Sequence, residues 1–322
     1  TQSEELKSKY VKSGIVDSKI EVQEPIVFKY NFKIPPRNDN EIRLIYCGTL
    51  RDEENILEII EEFKKIHAKR PEVVLKIVYG KIFNSSKDFT NKINNYIKQG
   101  VKGITFKYNL SHHDSCYEIA TSDIGICWRK NGWGDNGEVS TKVKEYELYG
   151  LLYYDKQIFT LLAKRILYIV SSDKKSSGYI QRTLHILNNR QDLLGCFNPF
   201  IIKTEKSEIK NIDELLFIHY TQNKLLQFVN KLRINTIILP SNHTNFNTIY
   251  NYLSNQTINK IKYIYELRGL WFLTSQSRYE YKIGHKKEYT PFVIGEMKNE
   301  RTTINNADGL IFINNTIRNY LL

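Results

Sequence analysis

The sequence predicts two α/β units, each a doubly wound, mostly parallel sheet with helices on both faces. Three observations lead there. Short apolar runs alternate with amphipathic stretches along almost the whole chain, the rhythm of strand–helix–strand units. The 322 residues suit two domains of ~150 residues, each large enough for its own core. Hydrophobic residues make up 41% and charged residues 25%, an ordinary globular balance.

The elements follow in order. Residues 43–48 (RLIYCG) read as a strand, and 52–69 as a helix with Ile56, Ile59, Ile60 and Phe63 on one face. Residues 73–80 read as a strand, 89–98 as a helix, 104–109 as a strand, 114–121 as a helix and 124–129 as a strand. Residues 140–149 read as a helix that closes the first unit. The stretch 151–164 reads as a connecting helix, so the expected division is 1–150, 151–164 and 165–322. In the second unit, 165–172, 199–203, 236–240, 262–268 and 309–313 read as strands. Residues 178–189, 212–232 and 314–322 read as helices.

The formal charge is +12, which predicts attraction to polyanions, from phosphorylated small molecules to anionic headgroups. The basic residues are dispersed, and no block of about five like charges marks a nucleic-acid arm, so nucleic acid is not an expected partner. A peripheral contact with an anionic membrane stays open. No apolar run approaches the ~20 residues of a spanning helix, and 1–12 is too polar for a secretory leader. The four cysteines, Cys47, Cys116, Cys127 and Cys196, form no C-x-x-C pair. Buried reduced thiols and a cytoplasmic setting are expected. His112-His113-Asp114 invites a metal reading, but adjacent histidines point apart and no further ligands are spaced for zinc, so no metal is expected.

Two stretches carry candidate chemistry. In 138–150 (EVSTKVKEYELYG), Ser140 and Thr141 open a helix, Lys142 adds a point charge, and Glu145 follows one turn later. A helix start offers free N–H groups and a positive dipole end, which suit phosphate, and a carboxylate can accept from ribose hydroxyls. An ordinary capped helix in water reads equally from the spacing. Gly48-Thr49-Leu50-Arg51 follows a strand directly. There a glycine admits a ligand close to the backbone, and an arginine can pair with phosphate. A plain strand-to-helix turn is the simpler reading. In the second half, Gly178 stands at a helix start, with Arg182 and Thr183 in its first turns. His243 follows a strand, Glu266 and Arg268 alternate along one strand, and Trp271 offers a stacking face. An exposed helix face, a surface histidine, an ion pair and core packing are their respective simpler readings.

These residues also carry a resemblance. LIYCGTLRDEENILEIIEEFKKI (44–66), ATSDIGICWRK (120–130) and STKVKEYELYG (140–150) resemble the donor-binding, carboxyl-terminal domain of family-4 retaining glycosyltransferases. SSGYIQRTLHIL (176–187), ILPSNHTNFNTI (238–249), YELRGLWF (265–272) and ADGLIFINNTI (307–317) resemble the acceptor-side, amino-terminal domain of the same family. The resemblance implies a GT-B architecture of two Rossmann-like domains. It implies transfer of a sugar, with retained configuration and without catalytic metal or other cofactor, from a nucleotide-sugar donor to a glycan or lipid-linked acceptor in surface polysaccharide synthesis. By that likeness Gly48, Thr49, Ser140 and Thr141 lie against the diphosphate, Arg51 and Lys142 stabilise its departure, and Glu138 and Glu145 bind the sugar and ribose. Gly178, Arg182, His243, Glu266 and Arg268 face the acceptor side.

The pattern departs from the family in identifiable places. The donor-like half comes first. Residues 1–11 and 312–322 both resemble the helix that closes the acceptor domain, an element that a segment of a tandem array would carry twice and a simple circular permutation would not need twice; both arrangements, and self-association, stay open. Residues after Gly150 do not resemble the expected further strand and helices. Glu138 and Glu145 are one residue closer than the family spacing, and Glu54 stands where many members carry a lysine. A carboxylate there repels a diphosphate unless neutralised. These departures favour a second expectation, a degenerate module that binds without catalysing. A dehydrogenase is excluded, because no G-x-G-x-x-G turn follows a strand.

Overall fold

The computed structural model describes residues 4–23, 26–37, 40–83, 86–130, 140–171, 178–190, 192–202, 208–212, 215–240, 243–257, 260–268, 289–312 and 317–318. The chain divides into two units, Thr1–Ala163 and Lys164–Leu322.

In the first unit, helix α1 (Glu4–Lys12) precedes an extended segment. Arg37 pins that segment by donating to both carboxylate oxygens of Asp123, at 2.9 and 2.8 Å. Then follow β1 (Ile42–Cys47), α2 (Ile56–Lys69), β2 (Val73–Tyr79), α3 (Lys87–Gln99), β3 (Ile104–Tyr108), α4 (His112–Ala120), β4 (Ile124–Ile126), α5 (Thr141–Leu148), β5 (Leu152–Tyr154) and α6 (Gln157–Ala163). The strands lie in the order β3-β2-β1-β4-β5, all parallel. This is the order of a Rossmann-like sheet, and it reverses direction between β1 and β4. The apolar faces read from the sequence explain the helices. Ile56, Ile59, Ile60, Phe63 and Ile66 of α2 are buried, and Ser86, Ser111 and Ser140 cap α3, α4 and α5 by accepting backbone N–H bonds.

The stretch after Gly150 corrects the expected connecting helix. Leu152–Tyr154 is the fifth parallel strand, paired with β4, and Ile158, Phe159, Leu161 and Leu162 of α6 are buried within the first unit. Three consecutive residues are too few for an alternation to show in sequence, which is why the strand escaped the periodic reading.

The second unit holds β6 (Ile166–Val170), α7 (Gly178–Asn189), β7 (Leu193–Phe197), β8 (Glu208–Ile212), β9 (Leu215–His219), α8 (Gln222–Lys231), β10 (Thr236–Pro240), α9 (His243–Ser254), β11 (Lys262–Leu267), α10 (Pro291–Asn306) and β12 (Gly309–Phe312). Their order is β12-β11-β10-β6-β7-β9-β8, parallel except for the β8–β9 pair, and it reverses between β10 and β6. Two expectations are corrected. The strand expected at 199–203 lies earlier, as β7, and residues 199–202 form a turn instead. The helix expected over 212–232 is strand β9 followed by α8, because Leu215–His219 is an apolar run buried at its end that pairs with β7. The expected helix 314–322 falls almost wholly outside the described residues. The core of this unit gathers Tyr168, Val170, Ile180, Leu184, Phe197 and Phe217. Among the described residues no helix is long and apolar enough to cross a membrane.

Candidate functional site

Open parallel sheets hold ligands beyond the carboxyl ends of the strands where the strand order reverses. In the first unit that point lies between β1 and β4. The backbone leaving β1 passes through Gly48, whose backbone packs against Lys142. A Cβ there would lie 3.2 Å from the Cε of Lys142, so glycine is what lets the lysine lie flat. Tyr46 donates its hydroxyl to the carbonyl of Thr49 at 2.7 Å. The chain then runs extended through Leu50, which bonds to Lys81 and Phe83 on the neighbouring turn. Arg51 is exposed, its guanidinium 5.2 Å from the centre of the Phe83 ring.

A short 3-10 turn, Asp52–Glu54, joins this loop to α2 through Asn55 in the left-handed conformation, φ 49°. Asn55 ties the turn to the chain leaving β4. With its carboxamide oxygen turned to the donors, it accepts from the Trp128 indole at 2.9 Å and the Lys130 amide at 3.1 Å. The Lys130 amide also donates to the Glu53 carbonyl, and its ammonium pairs with Asp52 at 2.5 Å. The two strand ends are thus fastened together. Asn after three acidic residues carries no sequence signal of its own, so Asn55 was not among the residues the sequence singled out.

Opposite stands the start of α5. Ser140 spends its hydroxyl oxygen on the Val143 amide, at 3.4 Å. Thr141 is the first helical residue, and its side chain is exposed. Lys142 is buried. Its ammonium lies 2.8 Å from Oε2 of Glu54 and 4.1 Å from the centre of the Tyr46 ring. The carboxylate that stands in the family's lysine position is therefore neutralised by Lys142, and the charge of Lys142 is largely committed to Glu54. Burial, with the Glu54 carboxylate added, holds the Tyr46 phenol well above its usual pKa. Burial likewise pushes the thiols of Cys47 and Cys127 up to about 12, so neither is a nucleophile at neutral pH.

Glu145 lies one turn along α5 and points to α4, where its Oε1 is 3.1 Å from Nε2 of His112. His112 also faces Sγ of Cys116 at 3.7 Å and the Tyr30 hydroxyl at 3.1 Å. The His113 ring packs edge-on against Phe32 at 5.1 Å and against Tyr30 at 4.9 Å. Glu138 lies outside the described residues.

In the second unit Glu266 lies at the carboxyl end of β11, one residue before its last, with 1% exposure. It is held by Arg182, whose Nη2 lies at 2.8 Å, by the hydroxyl of Tyr168, and by Arg268 at 3.5 Å. Arg268 also donates to the Tyr168 hydroxyl at 2.7 Å. Burial, then the Glu266 charge, raises the Tyr168 phenol. One carboxylate thus meets two guanidiniums and a phenol. Gly178 and His243 open α7 and α9, and their side-chain surroundings lie outside the described residues, as does Trp271. The sequence placed Glu266 and Arg268 on one face; Tyr168, 98 residues from Glu266, had no local signal.

No protein-family model matches the chain, and none of the curated proteins does. Among solved structures, the chain is similar to the C-terminal domain of a glycosyl transferase group 1 family protein (LpcC) from Francisella tularensis. The identity is 18% over 47% of this chain and 76% of that one, with a TM-score of 0.28. It is also similar to the N-terminal domain of trehalose-6-phosphate phosphatase from Candida albicans, at 12% identity over 45% of this chain and 34% of that one, TM-score 0.28. Likenesses of this degree leave function to the residues themselves.

Proposed function

We propose that this chain is a nucleotide-sugar-dependent glycosyltransferase of the GT-B type, and that its first unit holds the nucleoside diphosphate at the β1/β4 reversal. The observation that carries the reading is the meeting, at one strand-order reversal, of the Gly48–Arg51 turn with the Ser140-capped start of α5. Backbone N–H groups at that helix start and the exposed Arg51 face the developing charge on the leaving phosphate, a stabilisation that needs no side-chain nucleophile. Lys142 adds its charge if the phosphate competes with Glu54 for the ammonium. Glu145 binds the ribose, Glu138 the sugar. Arg182, Glu266 and Arg268, with Gly178 and His243, serve the acceptor side. The acceptor is a glycan or lipid-linked glycan, reached from the cytoplasm or the membrane surface, and transfer retains configuration without a metal.

One observation favours a second reading, binding without catalysis: the Lys142–Glu54 pair already satisfies the buried cation. Calorimetric titration with UDP, GDP and their sugars, paired with an assay for released nucleoside diphosphate, separates the two. Arg51→Ala is expected to weaken nucleotide binding about tenfold, the loss of one charge-assisted contact. Binding without turnover supports the second reading. No binding of any of these ligands at millimolar concentration overturns both.

A further inference from the structure

We propose that the first unit carries a site for a zinc-class divalent cation, made by His112, Cys116 and Glu145. His112 and Cys116 are four positions apart on α4, so their side chains leave the same helix face one turn apart. Glu145 reaches them from α5. Nε2 of His112 is 3.1 Å from Oε1 of Glu145 and 3.7 Å from Sγ of Cys116, and the three ligand atoms all lie within 4.8 Å of one another. Zinc bonds of about 2.1 Å to N and O and about 2.3 Å to S, at tetrahedral angles, place N and O about 3.4 Å apart and N and S about 3.6 Å apart. The two separations from the imidazole are within a few tenths of an ångström of that geometry, and the thiol–carboxylate separation, within 4.8 Å, closes toward about 3.6 Å by a side-chain adjustment as the ion enters. Imidazole, thiolate and carboxylate together suit zinc, whereas calcium and magnesium take oxygen sets.

The outer groups have the arrangement a metal site uses. The Tyr30 hydroxyl lies 3.1 Å from Nδ1 of His112. With Nδ1–H donating to it, Nε2 turns its lone pair to the ion. The Tyr149 hydroxyl accepts the Tyr30 amide at 3.0 Å, which holds Tyr30 beside His112. Cys116 is buried at 1% exposure while the His112 side chain is 49% exposed, which leaves the fourth position open to water. As the S–Zn bond forms, the thiol proton leaves to solvent. Sequence spacing concealed the set because the third ligand sits 33 residues further on, on another helix.

The inference stands apart from the nucleotide reading, because it is probed with metal alone. The two ligands nevertheless share Glu145, so an ion held here takes the carboxylate assigned to ribose. The experiment titrates the chelator-treated full chain with Co(II), then displaces it with Zn(II). One equivalent of cobalt is expected to give a near-ultraviolet thiolate charge-transfer band and visible bands of a four-coordinate ion. Cys116→Ser removes the charge-transfer band, and Cys196→Ala, in β7 of the other unit, keeps it. His112→Ala and Glu145→Gln lower zinc affinity by about a hundredfold, and Tyr30→Phe by about tenfold through the outer hydrogen bond. Circular dichroism melts check that each variant is folded. The absence of the band in the unmutated chain overturns the proposal. Because His112 is half exposed and its removal spares the core, an unchanged zinc affinity in His112→Ala overturns it as well.

Discussion

Lys142 and Glu54 show how one pair of residues decides what a crevice can bind. Both side chains are nearly out of water, at 9% and 12% exposure, so each charge depends on the other. Removing one partner strands the second in a poorly solvated place, which costs about 3–5 kcal/mol, whereas replacing both with apolar groups of similar size is close to neutral. Lys142→Met and Glu54→Leu are therefore each expected to lower the stability of the first unit by that amount, and the two together to recover most of it. Urea unfolding of the four forms checks this, and simple additivity of the two single losses would show the pair is uncoupled. The need for a neutralising group beside Glu54 was legible from the sequence alone. Its identity was not, because the partner lies 88 positions away and a lysine at a helix start suits a phosphate equally well. Charge reads locally, but pairing is a property of the fold.

At the scale of elements, β1 and β4 lead into a half-buried and a buried thiol. Cys47 closes β1 and Cys127 follows β4, and burial lifts both from the ordinary 9.0 to about 12. The native thiols stay protonated where an unfolded chain ionises. Below pH 9 both states hold the proton, and this contribution to stability is present in full. Between pH 9 and about 12 the unfolded chain binds fewer protons, so stability falls by about 1.4 kcal/mol per pH unit for each thiol. Tyr46 and Tyr146, raised by burial, add in the same direction above about pH 10. Chemical denaturation from pH 8 to 11 should show this decline, and a thiol reagent at pH 8 should leave the buried Cys127 unlabelled until urea is added. Rapid labelling of Cys127 in the native chain would contradict its burial. The strands themselves were readable because β1 and β2 are apolar and bounded. β8 was not, since EIKNI alternates weakly at a sheet edge, and β9 merged with α8 because an apolar run that passes into an amphipathic helix has no period of its own.

At the scale of the molecule, the boundary between the units depends on what happens after Gly150. Read as a sequence, 151–164 looked like a connector, which would make 1–150 a complete unit. In the folded chain β5 extends the sheet beside β4, and Arg70, at the end of α2, donates to the Leu162 carbonyl at 2.8 Å. Four apolar side chains of α6 are buried, each contributing about 1.5–3 kcal/mol. Their sum is comparable with the whole stability of a domain, about 5–15 kcal/mol. A fragment comprising 1–163 is therefore expected to melt cooperatively, while one ending at residue 150 exposes the floor on which α6 rests and aggregates or loses its sharp transition. Thermal melts of the two fragments by circular dichroism decide the matter. If 1–150 melts as sharply and as high as 1–163, then α6 is an appendage and the sheet is complete with four strands. The expected outcome is the opposite, since the strand that sequence periodicity could not detect is the one that lets the last helix close the core.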